Sequence, residues 1–137
     1  MAVPRTIAEL CGSLGVPRKD ILLACIFCRE FLQFGDLCAF DYKNLSLVWR
    51  GQTVFGACGR CIRLRAVCEI VQQSALCLEA DGVEAITHKK LKDILVRCRV
   101  CFKLLDYPEK LQCAGRRIPF ILVRRWWRAF CRCCLPK

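Results

Sequence analysis

The chain has 137 residues, 55% of them hydrophobic, with 23 lysines and arginines against 12 aspartates and glutamates, a formal net charge of +11, and 14 cysteines. That length suits one ordinary domain or two very small ones, and a unit below roughly 70 residues seldom buries enough apolar surface to fold without a metal, a disulfide or a partner. The longest apolar runs, Ile21 to Phe27 and Ile118 to Val123, fall far short of the ~20 residues that span a bilayer, so no membrane segment is expected.

The opening stretch MAVPRTIAELCGSLGVPRKD has no unbroken apolar core followed by a small-residue cleavage site, so it does not read as a secretory signal. A reducing compartment is expected, where paired cysteines bind metal more often than they form disulfides. Pro17 suits a first helical position, and a helical turn is predicted over Lys19-Asp20-Ile21-Leu22, running into Cys25-x-x-Cys28. The stretches LCAFDY and LSLVW read as strands separated by Lys43 and Asn44. Gly51-Gln52 then breaks the chain before a third strand, TVF. Such a sheet returns Cys58-x-x-Cys61 to the side of Cys25.

Beyond it, Ile62, Val67, Ile70, Val71 and Leu78 stand among good helix formers and predict a linker helix from about Arg60 to Leu78, ended by Asp81-Gly82. Thr87 reads as the N-cap of HKKLKDILV, which leads to Cys98-x-x-Cys101. A looser sheet follows, with KLQC, a turn at Ala114 to Arg117, and IPFILV, where Pro119 implies an edge or a bulge. The last pair is Cys131-x-x-Cys134.

The tetrapeptide KDIL occurs twice, and each of Cys25, Cys28, Cys58 and Cys61 recurs 73 residues later, the same offset. A period this long indicates two copies of a small domain rather than a solenoid. A CxxC turn offers two thiolates to one ion, and a second CxxC completes the tetrahedral four-cysteine shell of a closed, structural Zn²⁺ site. Two zinc ions per chain are therefore expected. Buried structural cysteines and a four-thiolate iron–sulfur site are the alternatives. Cys11, Cys38, Cys68, Cys77, Cys113 and Cys133 have no counterpart at that offset and read as small core residues or exposed thiols. The expected fold class is α+β, with two tandem zinc-binding domains, residues 1–61 and 85–137. Each is a short antiparallel sheet with flanking helices, and a linker helix lies within 62–84.

Charge divides unevenly. Residues 1–86 hold nine basic and nine acidic side chains, and residues 87–137 hold fourteen basic and three acidic. Two four-thiolate zinc sites would lower the net charge to about +7. A basic surface remains, suited to nucleic acid or to acidic peptides. Trp126 and Trp127 are adjacent and must point different ways, which leaves one of them for a surface. The single histidine, His88, supports no nucleophilic dyad, and no glycine-rich phosphate loop is present, so no enzymatic activity is expected. The spacing also lacks the histidine ligands and shorter loops of DNA-reading zinc fingers.

Two CxxC-x29-CxxC quartets separated by 36 residues, the ILxxC helix ends, VWRG in the first sheet and RRWWRAFC before the last pair resemble the papillomavirus early protein six family over nearly the whole chain. The ending CRCCLPK lacks the Thr/Ser-x-Val/Leu tail of some mucosal members, so a cutaneous type without a PDZ-domain partner is expected. The resemblance implies a viral adaptor that captures an acidic LxxLL helix in a groove formed by both zinc domains and the linker helix. The host protein would be a HECT-type ubiquitin ligase or a Mastermind-like Notch coactivator. The adaptor would alter host protein degradation, transcription, differentiation and apoptosis in the host nucleus and cytoplasm.

Carried over by position, Ile26, Phe27, Leu45, Leu47 and Ile62 would floor the groove, and Arg50 and Arg97 would supply basic contacts. Where some members carry a further arginine five residues before the last CxxC, this chain has Trp126, with Arg125 beside it. The second function class is a zinc-dependent nucleic-acid-binding regulator that uses the basic second copy. Weak nucleic-acid contact and a homodimer are further expectations.

Overall fold

The computed structural model describes residues 3–136; Met1, Ala2 and Lys137, which the readings of the two chain ends include, lie outside them. The chain forms two compact units, Met1–Ile62 and Arg63–Lys137. Unit 1 contains helix α1 (Ile7–Leu14), a 3-10 turn (Arg18–Asp20), strand β1 (Ala24–Cys25), helix α2 (Phe34–Tyr42), and strands β2 (Val48–Arg50) and β3 (Thr53–Gly56). Helix α3 (Gly59–Gln73) begins in unit 1 and continues into unit 2. There follow β4 (Ser74–Leu78), α4 (Ala80–Thr87), a 3-10 turn (Leu91–Asp93), β5 (Val96–Cys98), α5 (Tyr107–Gly115), β6 (Phe120–Val123) and β7 (Trp126–Ala129).

The first sheet runs β1-β3-β2 and the second β4-β6-β7-β5. In each, an antiparallel hairpin (β2–β3, β6–β7) takes the short strand carrying the first cysteine of the unit (β1, β5) in parallel on its second strand. The 73-residue offset governs backbone detail. The left-handed residues Gly15, Arg29, Asn44 and Gly51 recur as His88, Phe102, Arg117 and Arg124, with φ between 56° and 69° throughout. Gly51 meets this demand without a Cβ penalty in the β2–β3 turn, whereas Arg124 meets it with one.

Several predicted elements take another form. LCAFDY is not a strand but most of α2. Leu37 and Phe40, three apart, are both buried, while a capping box between Gln33 and Asp36 starts the helix. KLQC belongs to α5, started by the capping box of Asp106 and Glu109 with Pro108 in its first turn. The linker helix ends at Gln73, not Leu78. Leu76 and Leu78, two apart, pack against the unit 2 core on a strand paired with β6. Asp81-Gly82 opens α4 instead of ending a helix. Thr87 closes α4, with its hydroxyl donating to the Val83 carbonyl at 2.7 Å, so it is not an N-cap.

Each unit has its own core: Ile7, Leu10, Leu23, Leu37 and Phe40 anchor the first, and Val83, Val96, Phe120, Cys113 and Trp127 the second. Among the described residues no helix is long and apolar enough to cross a membrane.

Two candidate metal centres and a basic cavity

β1 and β5 each end on the first cysteine of a tight knuckle. The Cys25 N–H donates to the Glu30 carbonyl (2.8 Å), the Arg29 N–H to the Cys25 carbonyl (2.9 Å), and the Ile26 N–H to the Gly56 carbonyl on β3 (3.0 Å). Unit 2 repeats all three bonds with Cys98, Lys103, Phe102, Arg99 and Ala129. The left-handed turns at Arg29 and Phe102 close the knuckles. The second pair of each site stands where the chain leaves β3 or β7.

The four sulfurs of Cys25, Cys28, Cys58 and Cys61 lie within 4.8 Å of one another, as do those of Cys98, Cys101, Cys131 and Cys134. The Cys28–Cys58 separation is 3.9 Å and the Cys101–Cys131 separation 3.7 Å. A tetrahedron with Zn–S bonds of 2.3 Å has edges of about 3.8 Å, so each group could hold one Zn²⁺ with no position left open.

The thiols differ in acidity. Burial raises Cys25, but N–H groups of Cys28, Cys58 and Phe27 outweigh it and bring it down to about 7. The Cys101 thiol lowers Cys98 to about 4, against its burial. Burial pushes Cys61 and Cys134 up to about 12, helped by the neighbouring thiols.

A carboxylate ties each knuckle to its helix. In unit 1 Asp36 accepts from the Gln33 N–H at the start of α2 (3.3 Å) and from the Gly59 N–H, inside Cys58-x-x-Cys61 (3.1 Å). In unit 2 Glu109 accepts from the Asp106 N–H (3.0 Å) and from the Arg132 N–H, inside Cys131-x-x-Cys134 (2.8 Å). Asp36 and Glu109 are also 73 residues apart. Glu109 is 2% exposed and pairs with buried Lys103 at 2.6 Å. Its burial raises the carboxyl, but the Lys103 ammonium and the two N–H donors bring it down to about 2.

Of the residues assigned to a peptide groove by resemblance, Leu47 and Ile62 are buried, Leu45 packs partly buried against the unit 1 core, and Ile26 is half-buried. Phe27, Arg50 and Arg125 are exposed. Trp126 is 57% exposed while Trp127 is buried, as alternation along β7 requires.

Arg97 and Trp126 share a cavity of about 340 Å³ in unit 2 with Leu95, Phe102, Leu104, Trp127 and Arg128. The sequence reading missed Arg128. The available signal was register, since the parallel pairing of β5 and β7 sets Arg128 opposite Arg97. It also missed Asp36 and Glu109, whose signal was the offset already seen in the cysteines.

Two four-thiolate shells, each closed by a knuckle pair on a small mixed sheet, define a tandem zinc-domain protein whose metals are structural. The profile of the family described as Early Protein (E6) matches residues 25–134. Protein E6 of Human papillomavirus type 5b is 39% identical over 132 residues, covering 96% of this chain and 84% of that one. Protein E6 of Mastomys natalensis papillomavirus is 42% identical over 135 residues, covering 96% and 98%. The chain belongs to the papillomavirus E6 family. The solution structure of the C-terminal zinc-binding domain of HPV51 oncoprotein E6 is 28% identical, with a TM-score of 0.42 over 46% of this chain and 82% of that one.

Proposed function

We propose that the protein is a non-enzymatic adaptor that captures acidic LxxLL helices of host proteins, a HECT-type ubiquitin ligase or a Mastermind-like coactivator. In this way it alters host protein degradation, transcription, differentiation and apoptosis from the nucleus and cytoplasm. Each zinc shell would brace the fold of its own unit, and a helix-in-groove mode supplies affinity through leucine anchors and specificity through charge. Of the residues carried over by resemblance, Arg97, Arg125 and Trp126 of unit 2 are the side chains proposed to meet the peptide.

The observation that supports this reading is the unit 2 cavity, where two arginines stand among leucine, phenylalanine and tryptophan side chains. That lining suits a ligand both acidic and apolar. Fluorescence anisotropy with a labelled acidic LxxLL peptide tests it. Binding should weaken at least tenfold when the leucines become alanine, each buried leucine being worth about 1.5–3 kcal/mol, and should change little with salt. Leucine-independent binding that collapses with salt would favour phosphate-type recognition of nucleic acid by the basic second unit instead.

A further inference from the structure

β4 is an outer strand of the unit 2 sheet: it pairs with β6, and among the described residues no strand pairs with its other edge. An open edge is a template for another strand, and proteins usually blunt it with a charge, a proline or a covering element. Ser74-Ala75-Leu76-Cys77-Leu78 carries neither charge nor proline, and Ser74, Ala75 and Cys77 are exposed. Its one irregularity, a bulge between Ser74 and Leu76, leaves Leu76 to Leu78 in regular register.

The backbone groups at this edge follow from the register. The two-residue turn Arg124-Arg125, with Arg124 at φ 58°, makes Val123 and Trp126 a hydrogen-bonded pair. Such pairs alternate along antiparallel strands, so Ile121 also bonds toward β7, while Leu122 and Phe120 bond toward β4. Their partners Leu76 and Leu78 therefore turn N–H and C=O inward. Cys77, between them, points both groups at the free edge.

Charge is placed at the two ends of the strand. The Arg124 N–H donates to the Gln73 carbonyl at 3.4 Å, which sets the exposed Arg124-Arg125 turn beside the start of β4. Exposed Glu79 and Asp81 follow its end, and Glu79 is still extended, with φ −70° and ψ 168°.

We propose that β4 is a self-association edge whose occupant is the β4 of a second copy of this chain, antiparallel across a two-fold axis at Cys77. The two Cys77 residues then exchange N–H to C=O hydrogen bonds, Leu76 stands opposite Leu78, and Ala75 stands opposite Glu79. Two four-stranded sheets become one. The charges select a second copy and this direction. Antiparallel pairing brings Glu79 and Asp81 of each chain toward the Arg124-Arg125 turn of the other, about two strand spacings or ~10 Å across the sheet, which is within a Debye length at physiological salt. Parallel pairing would set like charges together.

The test uses the full zinc-loaded chain with Cys68→Ser and Cys133→Ser, which leaves Cys77 as the exposed thiol. Sedimentation velocity should show a concentration-dependent dimer, and a short bismaleimide should join Cys77 to Cys77. Where roughly nine-tenths of the chain is dimeric, amide exchange at Cys77 should be about tenfold slower than in dilute solution, with Leu76 and Leu78 protected at both concentrations. Cys77→Pro removes the edge donor and no bond to β6, and should weaken association at least about tenfold. Cys77→Ser, which keeps the N–H, should not. Asp81→Lys and Arg125→Glu should each weaken the dimer about threefold, and their combination should restore it, which a folding defect would not do.

A monomer at every concentration overturns the inference, whether or not the edge takes up an extended peptide from another protein. A dimer that Cys77→Pro leaves intact with two zinc ions bound, or one without slowed exchange at Cys77, uses another surface and overturns it too. Where Cys77→Pro loses zinc, the charge pair decides: no loss in the single variants, or no recovery in the double one, overturns the inference.

Discussion

Replacing Glu109 by glutamine removes one charge and almost no volume from the most buried carboxylate in unit 2. The side chain joins three things: the start of α5 through the Asp106 N–H, the last zinc knuckle through the Arg132 N–H, and the Lys103 ammonium at 2.6 Å. A carboxyl lowered from 4.5 to about 2 corresponds to about 3 kcal/mol of stability at neutral pH, taking 1.36 kcal/mol per unit. Because the folded value is the lower one, this contribution is fully present above pH 4.5 and is lost as pH falls toward about 2, so a measurement at pH 7 registers all of it.

The same figure follows from breaking a buried ion pair on one side, about 3–5 kcal/mol, since Lys103 would stay buried without its carboxylate. Urea unfolding of the zinc-loaded protein in a Trp49→Phe background, where fluorescence reports Trp126 and Trp127, should show Glu109→Gln less stable by about 3 kcal/mol. Most of that loss should vanish when Lys103→Met is the starting point. A loss below about 1 kcal/mol, the level of an exposed ion pair, or a loss unchanged by Lys103→Met, would refute the clamp.

Native mass spectrometry should find two zinc ions per chain. Cys131→Ser or Cys134→Ser should remove one, and exposed Cys133→Ser neither. Asp36→Asn, the unit 1 counterpart of the clamp but less buried and without a lysine, should cost only about 0.5–2 kcal/mol, the range of a helix cap, by the same urea titration. Zinc affinity measured against a competing chelator should fall as pH drops below neutral, because thiols held near 12, such as Cys61 and Cys134, must give up their protons to the metal.

The duplication, the eight gathered cysteines and the β2–β3 hairpin were legible because they rest on spacing, and a metal shell or a two-strand turn tolerates little variation in it; the β6–β7 hairpin was not, because KLQC reads as the partner of IPFILV. Two of the errors share one cause. LCAFDY and KLQC are short apolar stretches in which composition favoured strands, while the deciding signals lay just upstream, in Gln33 with Asp36 and in Asp106 with Glu109. A carboxylate three residues into a helix caps it. SALCL went the other way: its helix formers were overridden by pairing with β6, a partner more than 40 residues distant that no local window contains. Helices α1 and α4 could have been found by extending the 73-residue offset backward from KDIL, for Gly15 and His88 occupy the same left-handed cap.

Divergence between the copies is most informative where the geometry has been kept and the residues exchanged. In unit 1 the cation over a ring is Arg29, an exposed knuckle residue, and the ring is Phe55 on β3. In unit 2 the ring is Phe102 on the knuckle and the cation is Arg128, buried on β7. The two contacts satisfy the same packing, so the fold does not require the unit 2 version. A guanidinium at the knuckle keeps its water, and one on the strand loses it and needs Glu69. Stability therefore favours the first arrangement, because the unit 2 guanidinium gives up its hydration for a single carboxylate contact and a ring face.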